Sequence, residues 1–277
     1  MKKLFYKTDL RKFYTDFVNT KNLEDISYMF AHSPIEKVSF KDFNISQVTN
    51  MSHLFDECSS LFSIDIDSFD TRKVKDMSYM FRSCYSITSL DLSNFDTSKV
   101  VNMANMFQDC LTLTELNING FDTSNVEDMS FMFDSCSLLN YIDLSNFITN
   151  KVKNIAYMFQ FCTSLQNLDL TNFDLNQVES TLGIFASCRQ LSEINITNFN
   201  MDNNKDMSRM FFECQSLLRV NFETISTPKV ENMSSLFDEC SSLTSFSLSQ
   251  FDTQNVLDMS NMFQDCSKLE KNRYSSL

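Results

Sequence analysis

The chain has 277 residues, a formal net charge of −13 and 43% hydrophobic residues, with two glycines, two prolines and no tryptophan. Collagen-like, proline-rich and flexible-linker sequences are excluded, because each needs an excess of Gly or Pro. The acidic balance argues against nucleic-acid binding, since phosphate repels a chain of the same sign. No run of about eighteen apolar residues is present, so membrane insertion is not expected.

The first 25 residues do not follow the pattern of the rest of the chain. Thr8 and Asp9 are suitable N-cap residues, and Leu10 and Phe13 fall on one face of a helix that would begin there. We therefore predict an N-terminal helical cap over residues 1–25, which would cover the first open edge of a repeat array. The opening residues contain no apolar run typical of a secretory signal.

A motif of 26 residues dominates the remainder of the chain. Every cysteine recurs at this spacing, and a phenylalanine lies three residues before each of them. A spacing that never slips indicates a solenoid, in which each repeat contacts only its neighbours. The nine cysteines are Cys58, Cys84, Cys110, Cys136, Cys162, Cys188, Cys214, Cys240 and Cys266.

The unit at residues 71–96 predicts a helix followed by a strand. Met77, Met80, Phe81 and Cys84 have the spacing of an amphipathic helix, and a threonine opens most units as an N-cap residue would. Alternating apolar residues after the cysteine indicate a short strand with one buried face. Each repeat is therefore predicted to consist of a helix, a corner, a strand and a second corner.

These elements predict the α/β fold class. We expect a leucine-rich-repeat-like solenoid of 26-residue helix-strand units with a parallel sheet over residues 26–270, followed by a charged C-terminal tail at residues 271–277. Thr181 and Asn204 replace apolar residues of the repeat, which predicts looser packing between residues 178 and 228. Nothing in the pattern requires a second copy, so we expect a monomer.

The repeat resembles the BspA-like class of leucine-rich repeats (DUF285 type). The resemblance is clearest in LDLSNFDTSKV at residues 90–100 and MANMFQDC at residues 103–110, and it covers residues 26–270. It implies a right-handed β/α solenoid and a bacterial surface protein or lipoprotein with a role in adhesion. No lipobox cysteine or signal is present, and unpaired cysteines fit a reducing compartment, so a cytoplasmic location is the alternative.

The cysteines and methionines are predicted to be packing residues. No two cysteines are closer than 26 residues, so no C-x-x-C motif exists. Equivalent cysteines of adjacent turns would lie close together, which leaves a disulfide or metal ladder as the alternative to a buried ladder of free thiols. Most methionines lie at core spacing, which favours packing over copper binding.

The exposed strand positions carry the candidate partner site. One column is rich in Asp and Asn, and the column two residues earlier varies from turn to turn. Both point out of the sheet by the period-two rule, and they form either an acidic binding strip, with or without a bridging cation, or a merely solvated face. The candidate partner-binding residues are Glu115, Tyr141, Asp143, Asn167, Asp169, Glu193 and Arg219.

Catalysis has no support in the sequence. The two histidines, His32 and His53, belong to no Ser-His-Asp set, and no G-x-G-x-x-G or H-E-x-x-H motif is present. No cofactor or metal is therefore expected. We expect a non-enzymatic protein-interaction or adhesion module that presents an acidic Asp/Asn/Ser-rich sheet face to a protein partner. The alternative is an intracellular scaffold or regulator that uses the same face.

Overall fold

The chain forms a parallel β-solenoid. The computed structural model describes residues 1–15, 20–41, 43–196, 199–222 and 225–270, and within them each strand is three residues long. The strands are β1 (Lys12–Tyr14), β2 (Lys37–Ser39), β3 (Ser63–Asp65), β4 (Ser89–Asp91), β5 (Glu115–Asn117), β6 (Asn167–Asp169), β7 (Glu193–Asn195) and β8 (Arg219–Asn221). A 3₁₀ turn spans Leu248–Gln250.

Equivalent strands of adjacent turns pair in parallel, in three groups. β2 lies between β1 and β3, β4 pairs with β5, and β7 lies between β6 and β8. The register places Leu168 of β6 opposite Ile194 of β7, and Ile194 opposite Val220 of β8. The predicted solenoid with a parallel sheet is therefore confirmed. The sheet is interrupted between β3 and β4, which do not pair, and again at residues 141–143, which do not form a strand.

A second ladder runs along the solenoid beside the sheet. Parallel bridges connect one Asp, Asn or Ser of each turn to the next, from Asp25 through Asn50 and Asp76 to Asp258. The side chain at this position also fixes its own turn: Asp76 Oδ1 accepts from the amide of Ser78 at 3.0 Å. Such Asx turns explain how corners form in a chain with almost no glycine.

The segment predicted to be a helix is a series of tight turns, so the helix-strand unit is wrong. The amide of Met80 donates to the carbonyl of Met77 at 3.3 Å, but the amide of Tyr79 donates to Ala104 in the next repeat at 2.9 Å. Tyr79 and Ser83 have φ of 59° and 57°, so the right-handed winding is broken twice within each repeat. Successive amides thus donate alternately to a carbonyl in their own turn and to a carbonyl in the neighbouring repeat.

The predicted N-terminal helix is also wrong over residues 1–15. Phe5 donates its amide to Met29 at 2.8 Å, and its ring stacks on Phe30 at 5.4 Å. Phe13 lies in β1 and packs on the same Phe30 ring at 4.9 Å. The apolar residues of this segment fill the phenylalanine core of a further solenoid turn. Residues 16–19 and the predicted tail at residues 271–277 lie outside the described residues, and the boundaries at 26 and 270 stay predictions.

The core is built from stacked columns of identical residues. Phe81, Phe107 and Phe133 stack with centroid separations of 6.0 and 5.7 Å. The thiol of Cys84 donates to the carbonyl of Phe55 in the preceding turn at 3.3 Å, and the other cysteines repeat this contact. Burial raises the pKa of the Cys110 thiol to about 12.

The threonine column connects adjacent turns and does not cap helices. The hydroxyl of Thr97 donates to the carbonyl of Asp122 at 2.9 Å and accepts from the same residue's amide at 2.8 Å. Thr97 is completely buried. The hydroxyl therefore pairs backbone groups that the next turn would otherwise leave unsatisfied inside the protein. Among the described residues no helix is long and apolar enough to cross a membrane.

Candidate functional site

The exposed face of the sheet contains five of the seven residues of the predicted site, and Tyr141 and Asp143 lie in the turn between β5 and β6. In β6 the central Leu168 is 5% exposed, whereas its neighbours Asn167 and Asp169 are exposed. The same alternation exposes Glu193 in β7. The period of two therefore places residues of both predicted columns on one side, with the apolar core behind them.

Part of the predicted site is brought together by strand pairing. Asn167, Glu193 and Arg219 are direct neighbours in the register of β6, β7 and β8. Arg219 forms an ion pair with Glu193 at 3.4 Å, and both side chains are more than half exposed. An exposed pair of this kind adds little stability, so its charges remain accessible to a partner.

The remaining predicted residues lie further along the face. Glu115 begins β5, and Tyr141 and Asp143 lie one turn later, in the stretch where the sheet is interrupted. Tyr141 is 68% exposed. From Glu115 to Arg219 the face spans four turns, or about 19 Å at the usual strand spacing. A surface of that length suits a macromolecule better than a small ligand.

The carboxylates of the Asp/Asn column have a structural role as well as an exposed position. Asp143 Oδ1 accepts from the amide of Ser145 at 3.0 Å, and Asp169 Oδ1 accepts from Thr171 at 3.0 Å. Hydrogen bonds from the backbone and hydroxyl of Ser145 hold the pKa of Asp143 below its ordinary value. In both turns the carboxylate closes the corner after the exposed strand position.

Apolar residues that the sequence reasoning missed border this face. Tyr85 and Leu111 are 43% and 40% exposed, at equivalent corners of adjacent turns, and Leu138 is 49% exposed one turn on. Other turns place Ser59 and Ser137 in the column of Tyr85 and Leu111. This departure from small polar residues is the signal that could have revealed them.

No bound metal is suggested by the side chains of the site. Among the described residues no group of three or more His, Cys, Asp or Glu side chains is arranged to hold a metal ion. Chemically, the face offers carboxylates, amides, one guanidinium and one exposed phenol. Such groups are able to form hydrogen bonds and ion pairs.

The parallel ladder, the regular turn and the single exposed sheet face define a leucine-rich-repeat-like protein. Three overlapping segments, residues 1–112, 84–199 and 183–276, match the family described as "Mycoplasma protein of unknown function, DUF285". The chain belongs to this DUF285 family, which confirms the resemblance found in the repeat sequence.

A solved structure shows the same fold. A leucine-rich repeat protein from Eubacterium ventriosum is 17% identical with a TM-score of 0.55, and the match covers 99% of this chain and 69% of that one. A leucine-rich repeat protein from Bacteroides ovatus is less similar, with 17% identity and a TM-score of 0.33 over 76% of this chain and 66% of that one. No curated protein is similar in sequence to this chain.

Proposed function

We propose that the chain is a non-enzymatic protein-interaction or adhesion module that binds a protein partner through the exposed sheet face. The contact would be centred on Tyr141, with Glu115 and Asp143 beside it and Glu193 and Arg219 further along. Leucine-rich-repeat-like solenoids commonly act in this way, because stacking repeats creates an extended binding surface on a fixed core.

One observation supports this proposal above the others. The buried columns repeat with little change, whereas the exposed column reads Glu115, Tyr141, Asn167, Glu193 and Arg219 in five consecutive turns. A solvated face with no partner has no need for a phenol that is 68% exposed. Tyr and Arg are also the residues most often found at the energetic centre of protein interfaces.

The surroundings of Tyr141 suit a protein partner. Tyr85, Leu111 and Leu138 provide an apolar border, while the carboxylates of Glu115 and Asp143 provide charge. A partner with an apolar contact surface and basic residues would complement both. Charge complementarity would increase the association rate and would make binding weaken with added salt.

A comparison of two double variants tests the proposal. The chain with Tyr141→Ala and Arg219→Ala should lose the partner that the unchanged chain captures from cell extract. A control with Leu257→Ala and Lys153→Ala removes an even more exposed apolar residue and a cation away from the sheet. A captured set that is the same for all three chains would refute the sheet face as the binding surface.

A further inference from the structure

A second candidate site lies on the turn segment of the solenoid, away from the sheet. The first left-handed residue of each turn forms a column here: Tyr28, His53, Tyr79, Asn105, Phe131 and Tyr157. Tyr28 stacks on His53 at 4.1 Å and His53 on Tyr79 at 4.3 Å, with interplanar angles of 9° and 6°. Phe131 stacks on Tyr157 at 4.9 Å.

Asn105 interrupts this aromatic column and leaves a cavity between two rings. The cavity has a volume of about 290 Å³ and is open to solvent, with Tyr79 and Phe131 on opposite sides. Two turns separate these rings by about 9.6 Å at ordinary strand spacing. Since stacked groups approach to about 3.5–4 Å, one planar group fits between the two rings.

The floor of this slot is fixed. Asn105 is 6% exposed, and its Nδ2 donates to Gln108 Oε1 at 3.1 Å. Gln108 in turn donates to Asp134 at 2.9 Å. The two rings are only half-buried, so they extend beyond the amide as walls. The slot is therefore already formed before any ligand enters.

The polar groups of the slot favour a cation. Asp128 lines it, and its Oδ1 accepts from the amide and the hydroxyl of Ser130 at 2.9 and 2.7 Å. Among the described residues no Lys, Arg or His forms an ion pair with Asp128. The nearest stacked cation, Arg82 over the Tyr79 ring, is engaged by Asp56 and Glu57.

The faces of Tyr79 and Phe131 add to this preference, because the face of an aromatic ring carries partial negative charge and attracts cations. A guanidinium is planar, is weakly hydrated and stacks on aromatic rings, whereas an ammonium is a compact and strongly hydrated charge. A guanidinium also donates in its own plane, towards Asp128 and the floor. The shape of the slot and its charge therefore both favour a guanidinium.

We propose that the slot between Tyr79 and Phe131 binds the guanidinium of an arginine side chain presented by a protein partner. The guanidinium stacks between the two rings and pairs with the carboxylate of Asp128. This contact adds a second surface to the protein-binding role proposed above. It involves none of the residues of the sheet face, so either site can fail without the other.

Titration of the isotope-labelled chain with short peptides tests this proposal by NMR. The probes are acetyl-Gly-Arg-Gly-amide, the same peptide with citrulline, which is an uncharged isostere, and the same peptide with tryptophan. We expect saturable shifts of the amides at and around Tyr79, Asn105 and Phe131 with the arginine peptide. Binding of the citrulline peptide should be about ten-fold weaker, the size of a partly desolvated cation–π contact with an ion pair.

Two variants remove different parts of the slot without removing the fold. Asn105→Tyr places a ring where the column already has Tyr79 and Tyr157, and it should abolish the shifts. Asp128→Asn introduces the residue that Asn102 and Asn154 already supply at equivalent positions, and it should weaken binding about ten-fold. Asn261→Tyr, in the same column but outside the slot, is the control and should leave binding unchanged.

Four results would overturn the proposal. Two concern the peptides: equal affinity for the arginine and citrulline peptides, or tighter binding of the tryptophan peptide. The other two are shifts that persist in the Asn105→Tyr variant, and no saturable shift with the arginine peptide up to its solubility limit. Loss of partner capture by the Tyr141 and Arg219 double variant has no bearing on this outcome.

Discussion

Replacement of Asn204 by valine should stabilise the protein, although it removes a hydrogen bond. Asn204 takes the position that valine occupies in the neighbouring turns, and it is completely buried. Its Nδ2 donates to the hydroxyl of Thr181 at 3.3 Å, but its Oδ1 is buried without a partner. The looser packing predicted for residues 178–228 stays a prediction. Within that region, the structure shows one source of lower stability, which is the incompletely paired amide of Asn204.

The expected gain follows from the two amide atoms. An unpaired buried carbonyl costs about 1–3 kcal/mol, whereas the bond to Thr181 contributes about 0.5–1.5 kcal/mol. Thr181 keeps a bond of its own to the carbonyl of Asp206, at 3.4 Å, when the amide is gone. Asn204→Val should therefore raise the free energy of unfolding by about 1 kcal/mol.

Urea unfolding followed by circular dichroism measures this change, and hydrogen exchange locates it, since repeat arrays open locally. Val178→Asn is the matched control, because Val178 is the equivalent buried residue one turn earlier. That substitution creates a new buried amide and should cost about 3 kcal/mol. If Asn204→Val is destabilising while Val178→Asn is neutral, the account of the unpaired carbonyl is wrong.

Two further predictions concern charged groups near the turns. Burial raises the pKa of Asp134 to about 6, from an ordinary value of 3.8. The folded state therefore favours the protonated carboxyl, and the stability that this group contributes is complete below pH 3.8 and is lost as the pH rises through 6. Asp134→Asn should match the unchanged chain near pH 4 and exceed its stability at pH 7, and a constant difference across a pH series of unfolding curves would contradict this. Arg82→Ala should cost about 3 kcal/mol, because it removes two bonds from the buried Asp56 carboxylate. Arg72→Ala, which breaks an exposed pair, should leave the urea midpoint unchanged, and equal losses for both variants would refute the distinction.

Much of the architecture can be predicted from the sequence because identical residues of a solenoid stack on one another. The fixed spacing of Phe81 and Cys84 predicts the columns and the parallel sheet. The same residues led to the wrong prediction of a helix, because consecutive four-residue turns also bury an apolar residue at every third or fourth position. What distinguishes the two is a left-handed conformation at Tyr79, and aromatic residues give no sign of it in sequence. Gly183, Asn105 and Asn261, in the same column, are of the residue types that favour this conformation.

The two candidate sites differ in how far the sequence predicts them. Alternation along a strand places Tyr141 and Arg219 on the exposed face without any knowledge of the turns. The slot between Tyr79 and Phe131 depends on residues 52 positions apart, and it exists because the turn segment presents their rings side by side. Under the helical prediction the same rings would have no fixed relation to the cavity at Asn105, so the slot could not be predicted.

The effect of a departure from the repeat depends on where its column lies. Asn204 lies in a column of valines, and Asn105 lies between aromatic residues of the turns on either side. At the fully buried position of Asn204, water cannot reach the unpaired carbonyl, and the change reduces stability. At Asn105 the missing ring leaves a solvent-open space between two aromatic walls, so the same kind of change creates a place for a ligand. Because each repeat serves as a reference for its neighbours, such departures identify candidate sites within a single sequence, and the burial of each column separates sites of function from sites of instability.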